Sequence, residues 1–114
     1  MRFCITGTGR CGSTLVRNLL HLHDDVYVFN ETHWIPKMYA AVGRGTGDPE
    51  TLISIIERTQ HVTGAVVTPI DGDDLRRRFA GVEAITVRDF CDRVGELFAD
   101  EAGKTSWADK TPDY

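Results

Sequence analysis

Cysteine is scarce in this sequence, and what there is of it does not fall into pairs. The three cysteines, Cys4, Cys11 and Cys91, are an odd number and lack the close CxxC spacing of zinc sites and redox motifs. Structural disulfides and zinc sites need such pairs. We therefore expect free thiols and no structural metal.

Long apolar runs and an excess of basic charge are also missing. No uninterrupted apolar stretch is long enough for a signal peptide or a membrane span, so we expect a cytoplasmic protein without a membrane partner. The net charge of −4 argues against a nucleic-acid partner, because such domains cluster a surplus of Lys and Arg on one face. A small anionic ligand held by a few local groups is still compatible with this charge.

The overall composition is that of an ordinary globular domain. With 41% hydrophobic and 26% charged residues, the chain has enough apolar side chains to form a core, so global disorder is not expected. A length of 114 residues suits one modest domain, although a three-layer α/β enzyme usually needs more chain. We expect one domain.

The first thirty residues have the pattern of a strand, a glycine-rich loop, a helix and a second strand. An apolar run from Arg2 to Thr6 precedes the glycines, leucines at helical spacing follow over Ser13 to His23, and a β-rich run covers Val26 to Phe29. This order predicts a parallel sheet, and ligands of such sheets bind at the carboxyl ends of the strands.

The remainder of the chain is predicted to be mostly helical. Helices are expected over 34–42, from 49 to about 59, over 73–79 and over 87–102, and a short strand running into a loop is expected over 105–114. Thr86 is a good N-cap for the last helix, and Gly103 is placed to end it. The basic run Arg76 to Arg78 is predicted to be a solvated helix face.

Residues 7–14, GTGRCGST, lie between the first strand and the first helix. In this position, exposed backbone N–H groups and the helix dipole favour a bound anion, and glycine lets the backbone close around it. The alternative is that these residues form a glycine-rich turn between strand and helix that binds no ligand.

Two nucleotide-binding motifs are partly matched by this loop. Gly7 and Gly12 have the separation of a Walker A loop, but Ser13 replaces the lysine that clamps the β and γ phosphates. Gly7, Gly9 and Gly12 also match GxGxxG, and Glu31 lies nineteen residues beyond Gly12, where a ribose-binding acid is expected. An NAD(P)-binding oxidoreductase module is therefore the main alternative function.

The loop also resembles the 5′-phosphosulfate-binding loop of sulfotransferases that use 3′-phosphoadenosine 5′-phosphosulfate (PAPS). That family pattern is a basic residue, a small residue, Gly, two hydroxyl residues and an apolar residue. Six consecutive positions match it, namely Arg10, Cys11, Gly12, Ser13, Thr14 and Leu15. The resemblance implies that these residues and Gly9 hold PAPS, with Arg10 also neutralising charge on the transferred group.

Two further segments resemble the same family. Glu31 and Thr32 are similar to the acid-Thr pair of the branch that sulfates protein tyrosines, which implies that Glu31 is the general base. Residues 107–114, WADKTPDY, resemble the acid-Lys-Thr-Pro-x-Tyr segment of bacterial, carbohydrate and protein sulfotransferases, which implies a catalytic role for Lys110. His33 is the alternative base, since some cytosolic sulfotransferases use histidine.

One part of the family pattern has no counterpart here. The Arg and Ser that bind the 3′-phosphate of PAPS follow the Lys-Thr-Pro segment, and Arg88 with Asp89 does not replace them. The resemblance therefore implies that residues 1–114 are the N-terminal part of one sulfotransferase domain. Its implied fold is a P-loop-type three-layer α/β/α domain with a central parallel sheet, incomplete at the C-terminus.

The function implied by the resemblance is transfer of a sulfuryl group from PAPS to a hydroxyl or amine acceptor without a metal. An inactive anion-binding fragment is the third interpretation, after the oxidoreductase module. Nothing in residues 34–104 is diagnostic of the acceptor, and the oligomeric state is not predicted.

Overall fold

The computed structural model of the chain describes residues 1–7, 12–63 and 69–111, without the side chains of 61–63. Strands and helices follow one another along these residues in the order β1 Cys4–Ile5, α1 Ser13–His21, β2 Val26–Asn30, α2 Trp34–Val42, β3 Thr46–Gly47, α3 Pro49–Thr63, α4 Gly72–Arg78, β4 Ile85–Thr86, α5 Val87–Glu101 and β5 Ser106–Lys110. Within this part of the chain, no helix is both long and apolar enough to cross a lipid bilayer.

The central sheet is parallel and has the strand order β1-β5-β2. The last strand in sequence therefore lies between the first two, and Asp109 pairs with Cys4 on one side and Phe29 on the other. This confirms the predicted α/β class with a central parallel sheet flanked by helices. A separate antiparallel pair, β3 with β4, was not predicted, because strands of two residues are too short to show a periodic pattern.

The main core lies on one face of the parallel sheet. Alternation along β2 and β5 directs Phe29 and Trp107 toward this face, where they pack with α2 and α5. Helix α5 approaches closely at Gly95, where an added Cβ would lie 2.1 Å from the Trp107 ring. The opposite face carries a small cluster of Val26, Val28 and Ala108.

Helix α1 was predicted from the spacing of its leucines, but polar side chains make its hydrogen bonds with β2. Arg17 donates from Nε to the Val28 carbonyl at 2.8 Å, and the Val28 N–H donates to His21 Nδ1 at 3.1 Å. Strand β2 is at the edge of the described sheet, and these two side chains form hydrogen bonds with backbone groups on its open side. Leu15 and Leu19 are left 64% and 61% exposed.

Candidate active site

The three parallel strands end next to one another, close to the start of α1. The Glu31 N–H, just beyond β2, donates to the Lys110 carbonyl at 2.5 Å. The Thr111 N–H, just beyond β5, donates to the Ile5 carbonyl at 3.1 Å. Side chains that leave these strand ends therefore meet at one edge of the sheet, where ligands of parallel sheets bind.

Lys110 brings three of the predicted site residues together. Its side chain is 0% exposed, and Nζ lies 2.9 Å from Glu31 Oε1 and 3.3 Å from Thr14 Oγ1. A fully buried ammonium group is stable only with a charged or hydrogen-bonding partner, and here a carboxylate and a hydroxyl provide this. The resemblance named Thr14, Glu31 and Lys110 separately, and the structure places Thr14 and Glu31 in contact with Lys110.

Glu31 is held in an unusual backbone conformation. Its φ is 55°, and that of His33 is 53°, so two non-glycine residues of one short turn lie in the left-handed region. Each such residue costs about 1–3 kcal/mol, and such strain is common at functional sites. The hydrogen bonds from the Trp34 N–H to the Thr32 carbonyl and from the Glu31 N–H to Lys110 hold this turn.

The carboxylate of Glu31 has two cationic or potentially cationic neighbours. Burial raises its pKa, but the hydrogen bonds from Lys110 and His33, together with their charges, outweigh this effect and leave the pKa below its ordinary value. His33 Nε2 lies 3.3 Å from Glu31 Oε2. At neutral pH, Glu31 is therefore an anion, and 24% of its side chain is open to solvent.

His33 is the N-cap residue of α2 but makes no side-chain capping bond. The carboxylate of Glu31, three residues before this helix, binds Lys110 and His33. His33 is in contact with the candidate base, and 28% of its side chain is exposed to solvent.

A buried acid that was not predicted as a site residue connects the two strand ends. Asp109 is fully buried, and its Oδ2 accepts hydrogen bonds from Thr32 Oγ1 at 3.1 Å and Thr111 Oγ1 at 2.9 Å. The Thr111 hydroxyl also accepts from the Thr32 N–H at 2.9 Å. The family resemblance includes both threonines, Thr32 in the acid-Thr pair and Thr111 in the acid-Lys-Thr-Pro-x-Tyr segment, but it gave them no role.

The glycine loop is described from Gly12 onward, and Gly9, Arg10 and Cys11 lie outside the described residues. Gly12 has a φ of 86° and is the N-cap of α1 without a side-chain cap. The first N–H groups of a helix have no intrahelical acceptor, so those at Ser13 and Thr14 are placed to bind an anion. The side chain of Leu15 is 64% exposed.

The structure describes two of the three cysteines that were predicted to be free thiols. Cys4 and Cys91 are free thiols, as expected, and Cys11 lies outside the described residues. Burial, followed by the charge of Asp109, raises the pKa of Cys4 to about 11, so this thiol is neutral. Its Sγ lies 4.0 Å from Asp109 Oδ2, to which it can donate.

The chain was compared with curated proteins, solved structures and family sequence profiles. No curated protein and no solved structure matches the chain. The sequence profile of the sulfotransferase family, in contrast, matches residues 3–114. The match covers nearly the whole chain and includes the glycine loop, Glu31 and Lys110. The chain therefore belongs to the sulfotransferase family, the enzymes that transfer sulfuryl groups.

Proposed function

We propose that this protein transfers a sulfuryl group from PAPS to a hydroxyl or amine acceptor and that Glu31 takes the acceptor's proton. The observation that supports this best is the buried Lys110 ammonium between the Glu31 carboxylate and the Thr14 hydroxyl. The family assignment favours this donor over NAD(P) and nucleoside triphosphates. A cytoplasmic location and the absence of a metal requirement stay predictions.

The residues at the start of α1 are suited to the phosphosulfate group of the donor. Backbone N–H groups of Ser13 and Thr14, the Thr14 hydroxyl and the Lys110 ammonium combine oriented dipoles with one buried positive charge. These groups stabilise negative charge on phosphate and sulfuryl oxygens without reorganising during the reaction. Arg10 is proposed to add a second cation.

In the transfer step, the acceptor oxygen or nitrogen forms a bond to sulfur while the bond from sulfur to the bridging phosphate oxygen breaks. The electron pair of the broken bond stays on the released phosphate, and the acceptor proton passes to Glu31. At neutral pH this carboxylate is ionised, since its pKa is lowered. Any contact that draws Lys110 toward the transferred group weakens its bond to Glu31 and makes the carboxylate more basic.

The test is replacement of Glu31 by Gln, which removes the proton acceptor and keeps a similar shape. We expect PAPS-dependent turnover to fall by about 10²-fold or more, while calorimetric titration with adenosine 3′,5′-bisphosphate shows unchanged binding. Glu96→Gln, a change at an exposed position of α5, is the matched control and should keep full turnover.

Retained turnover in Glu31→Gln would exclude Glu31 as the base, and His33→Gln would then test the alternative. Tight NAD binding without binding of the bisphosphate would overturn the proposed donor itself.

A further inference from the structure

A separate cleft lies at the far end of α2 from the Glu31 and Lys110 side chains. Its volume is about 730 Å³, which is within the range of small-molecule sites. The residues that line it are Tyr39, Gly43, Arg44, Thr86, Val87 and Arg88. Two of these six are arginines and none is acidic, so the lining carries only positive charge.

The two arginines differ from the three arginines of α4. Arg76, Arg77 and Arg78 all form ion pairs with nearby carboxylates. In contrast, neither Arg44 nor Arg88 forms an ion pair or hydrogen bond with any residue that the structure describes. The cleft therefore holds two guanidinium groups whose donors are available to a ligand.

The fold itself brings these like charges together. Strands β3 and β4 pair in antiparallel register with Thr46 opposite Thr86. Arg44 lies two residues before β3, and Arg88 lies two residues after Thr86 in the first turn of α5, so both line the same cleft. Like charges in one cleft repel each other unless an anion compensates them. A guanidinium pair with five N–H donors on each group is suited to carboxylate, sulfate or phosphate oxygens.

Helix α2 relates this cleft to the active site. The helix begins directly after His33, which contacts Glu31, and its nine residues span about 13 Å before Gly43. Tyr39, in the last half of the helix, is 41% exposed and adds a flat ring to the cleft lining. One elongated molecule could therefore reach from the cleft to the base.

We infer that the cleft binds the acidic group of the acceptor, a hydroxyl compound that also carries a carboxylate, sulfate or phosphate. This assignment rests on the proposed function, because it identifies the class of acceptor that Glu31 deprotonates. The acidic group binds between Arg44 and Arg88, and the hydroxyl group extends along α2 toward Glu31.

Binding is tested by NMR titration of the ¹⁵N-labelled protein at constant ionic strength. The probes are 4-hydroxybenzoate and methyl 4-hydroxybenzoate, which differ in charge and keep the same ring and hydroxyl. We expect 4-hydroxybenzoate to shift the amide signals of residues 43–44 and 86–88 and to bind at least tenfold more tightly than the ester. The double variant Arg44→Gln with Arg88→Gln should lose this preference, whereas Arg58→Gln on α3 should keep it.

Equal binding of the two probes, shifts confined to other residues, or unchanged binding in the double variant would overturn the anion site.

The acceptor role is tested separately, with a series of hydroxy acids of increasing length and their methyl esters as acceptors for PAPS. We expect a lower KM for the acids, and the double variant should remove this difference while binding adenosine 3′,5′-bisphosphate normally. If acids bind the cleft but give no KM advantage, the acceptor assignment is wrong. If the unmodified protein does not bind adenosine 3′,5′-bisphosphate, this result would instead count against the proposed function.

Discussion

The carboxyl edge of the sheet and the outer surface of α3 and α4 both pair a cation with carboxylates, but in opposite environments. At the sheet edge, one fully buried ammonium, that of Lys110, binds the Glu31 carboxylate at 2.9 Å. On the outer surface, Arg76 binds Glu50 at 2.9 Å and Glu57 at 2.6 Å, and these carboxylates are 60% and 42% exposed. The distances are similar, so exposure to water is what distinguishes the two regions.

The difference teaches that ion-pair geometry alone does not indicate function. Water screens the exposed pairs and solvates each ion when the pair separates, so such pairs contribute little. The buried ammonium has no such alternative, and its position is tied to the carboxylate that it contacts. A buried, strained and charged cluster at strand ends is the arrangement expected of an active site, whereas the surface cluster is that of a solvated helix face.

The largest expected effect is that of Glu31→Ala, which leaves the Lys110 ammonium buried without its carboxylate. We expect the free energy of unfolding to fall by about 3–5 kcal/mol, measured by urea denaturation. Adding Lys110→Met should recover most of this loss, because an apolar side chain of similar length needs no partner. If the double variant is no more stable than Glu31→Ala, the buried charge is not the cause.

The next effect is that of Asp109→Ala, which removes the acceptor of the Thr32 and Thr111 hydroxyl groups. Leaving such buried groups without an acceptor costs about 1–3 kcal/mol, and Asp109→Asn should cost less since one oxygen can still accept. Asp100→Ala, at an exposed position of α5, is the control, and its urea midpoint should stay close to that of the unmodified protein.

A pH-dependent effect of intermediate size is expected at His21, which is half-buried. Burial, followed by the charges of Arg17 and Lys104, lowers its pKa from 6.5 to about 4. Between these values the unfolded chain binds a proton that the folded protein does not, so stability falls as the pH falls from 6.5 toward 4.

His21→Asn keeps an acceptor for the Val28 N–H and cannot titrate. Urea midpoints measured from pH 7 to pH 5 should therefore change less in this variant than in the unmodified protein. Parallel curves for the two proteins would show that folding does not change the pKa of His21.

The smallest effect is expected for Arg76→Ala on the outer surface. Its three carboxylate partners remain hydrated, so the free energy of unfolding from urea denaturation should change less than in Glu31→Ala or Asp109→Ala. The residual difference should disappear in 1 M NaCl, where the screening length is about 3 Å. A loss comparable with that of Glu31→Ala would mean that exposure does not separate the two regions.

Local features of the fold were predictable because their causes are local. The bounds of α2, 34–42, agree with the structure, and Thr86 caps α5 through a hydrogen bond from the Asp89 N–H. Apolar spacing and capping residues act within one or two turns of chain, so they can be recognised without the rest of the molecule. The strand pairing β3 with β4 and the exposed leucines of α1 depend on neighbours far along the chain and were not predicted.

The candidate site was predictable only as separate residues. Motif resemblance identified Thr14, Glu31 and Lys110, whose side chains are in contact in the structure. It did not identify Asp109 as the acceptor that joins the two strand ends. A buried carboxylate is recognised by what surrounds it, and its surroundings come from residues 77 and 105 positions away in the chain.

By itself, the sequence determined the strand, glycine loop and helix at the N-terminus, most helix bounds and the family, because each depends on short patterns of residue types. Tertiary structure alone decided that β5 is the central strand. That placement buries Lys110 beside Glu31 and Thr14, and it lowers the pKa of Glu31. The physical reason is that burial and charge coupling are properties of distances in space, which short sequence patterns do not contain.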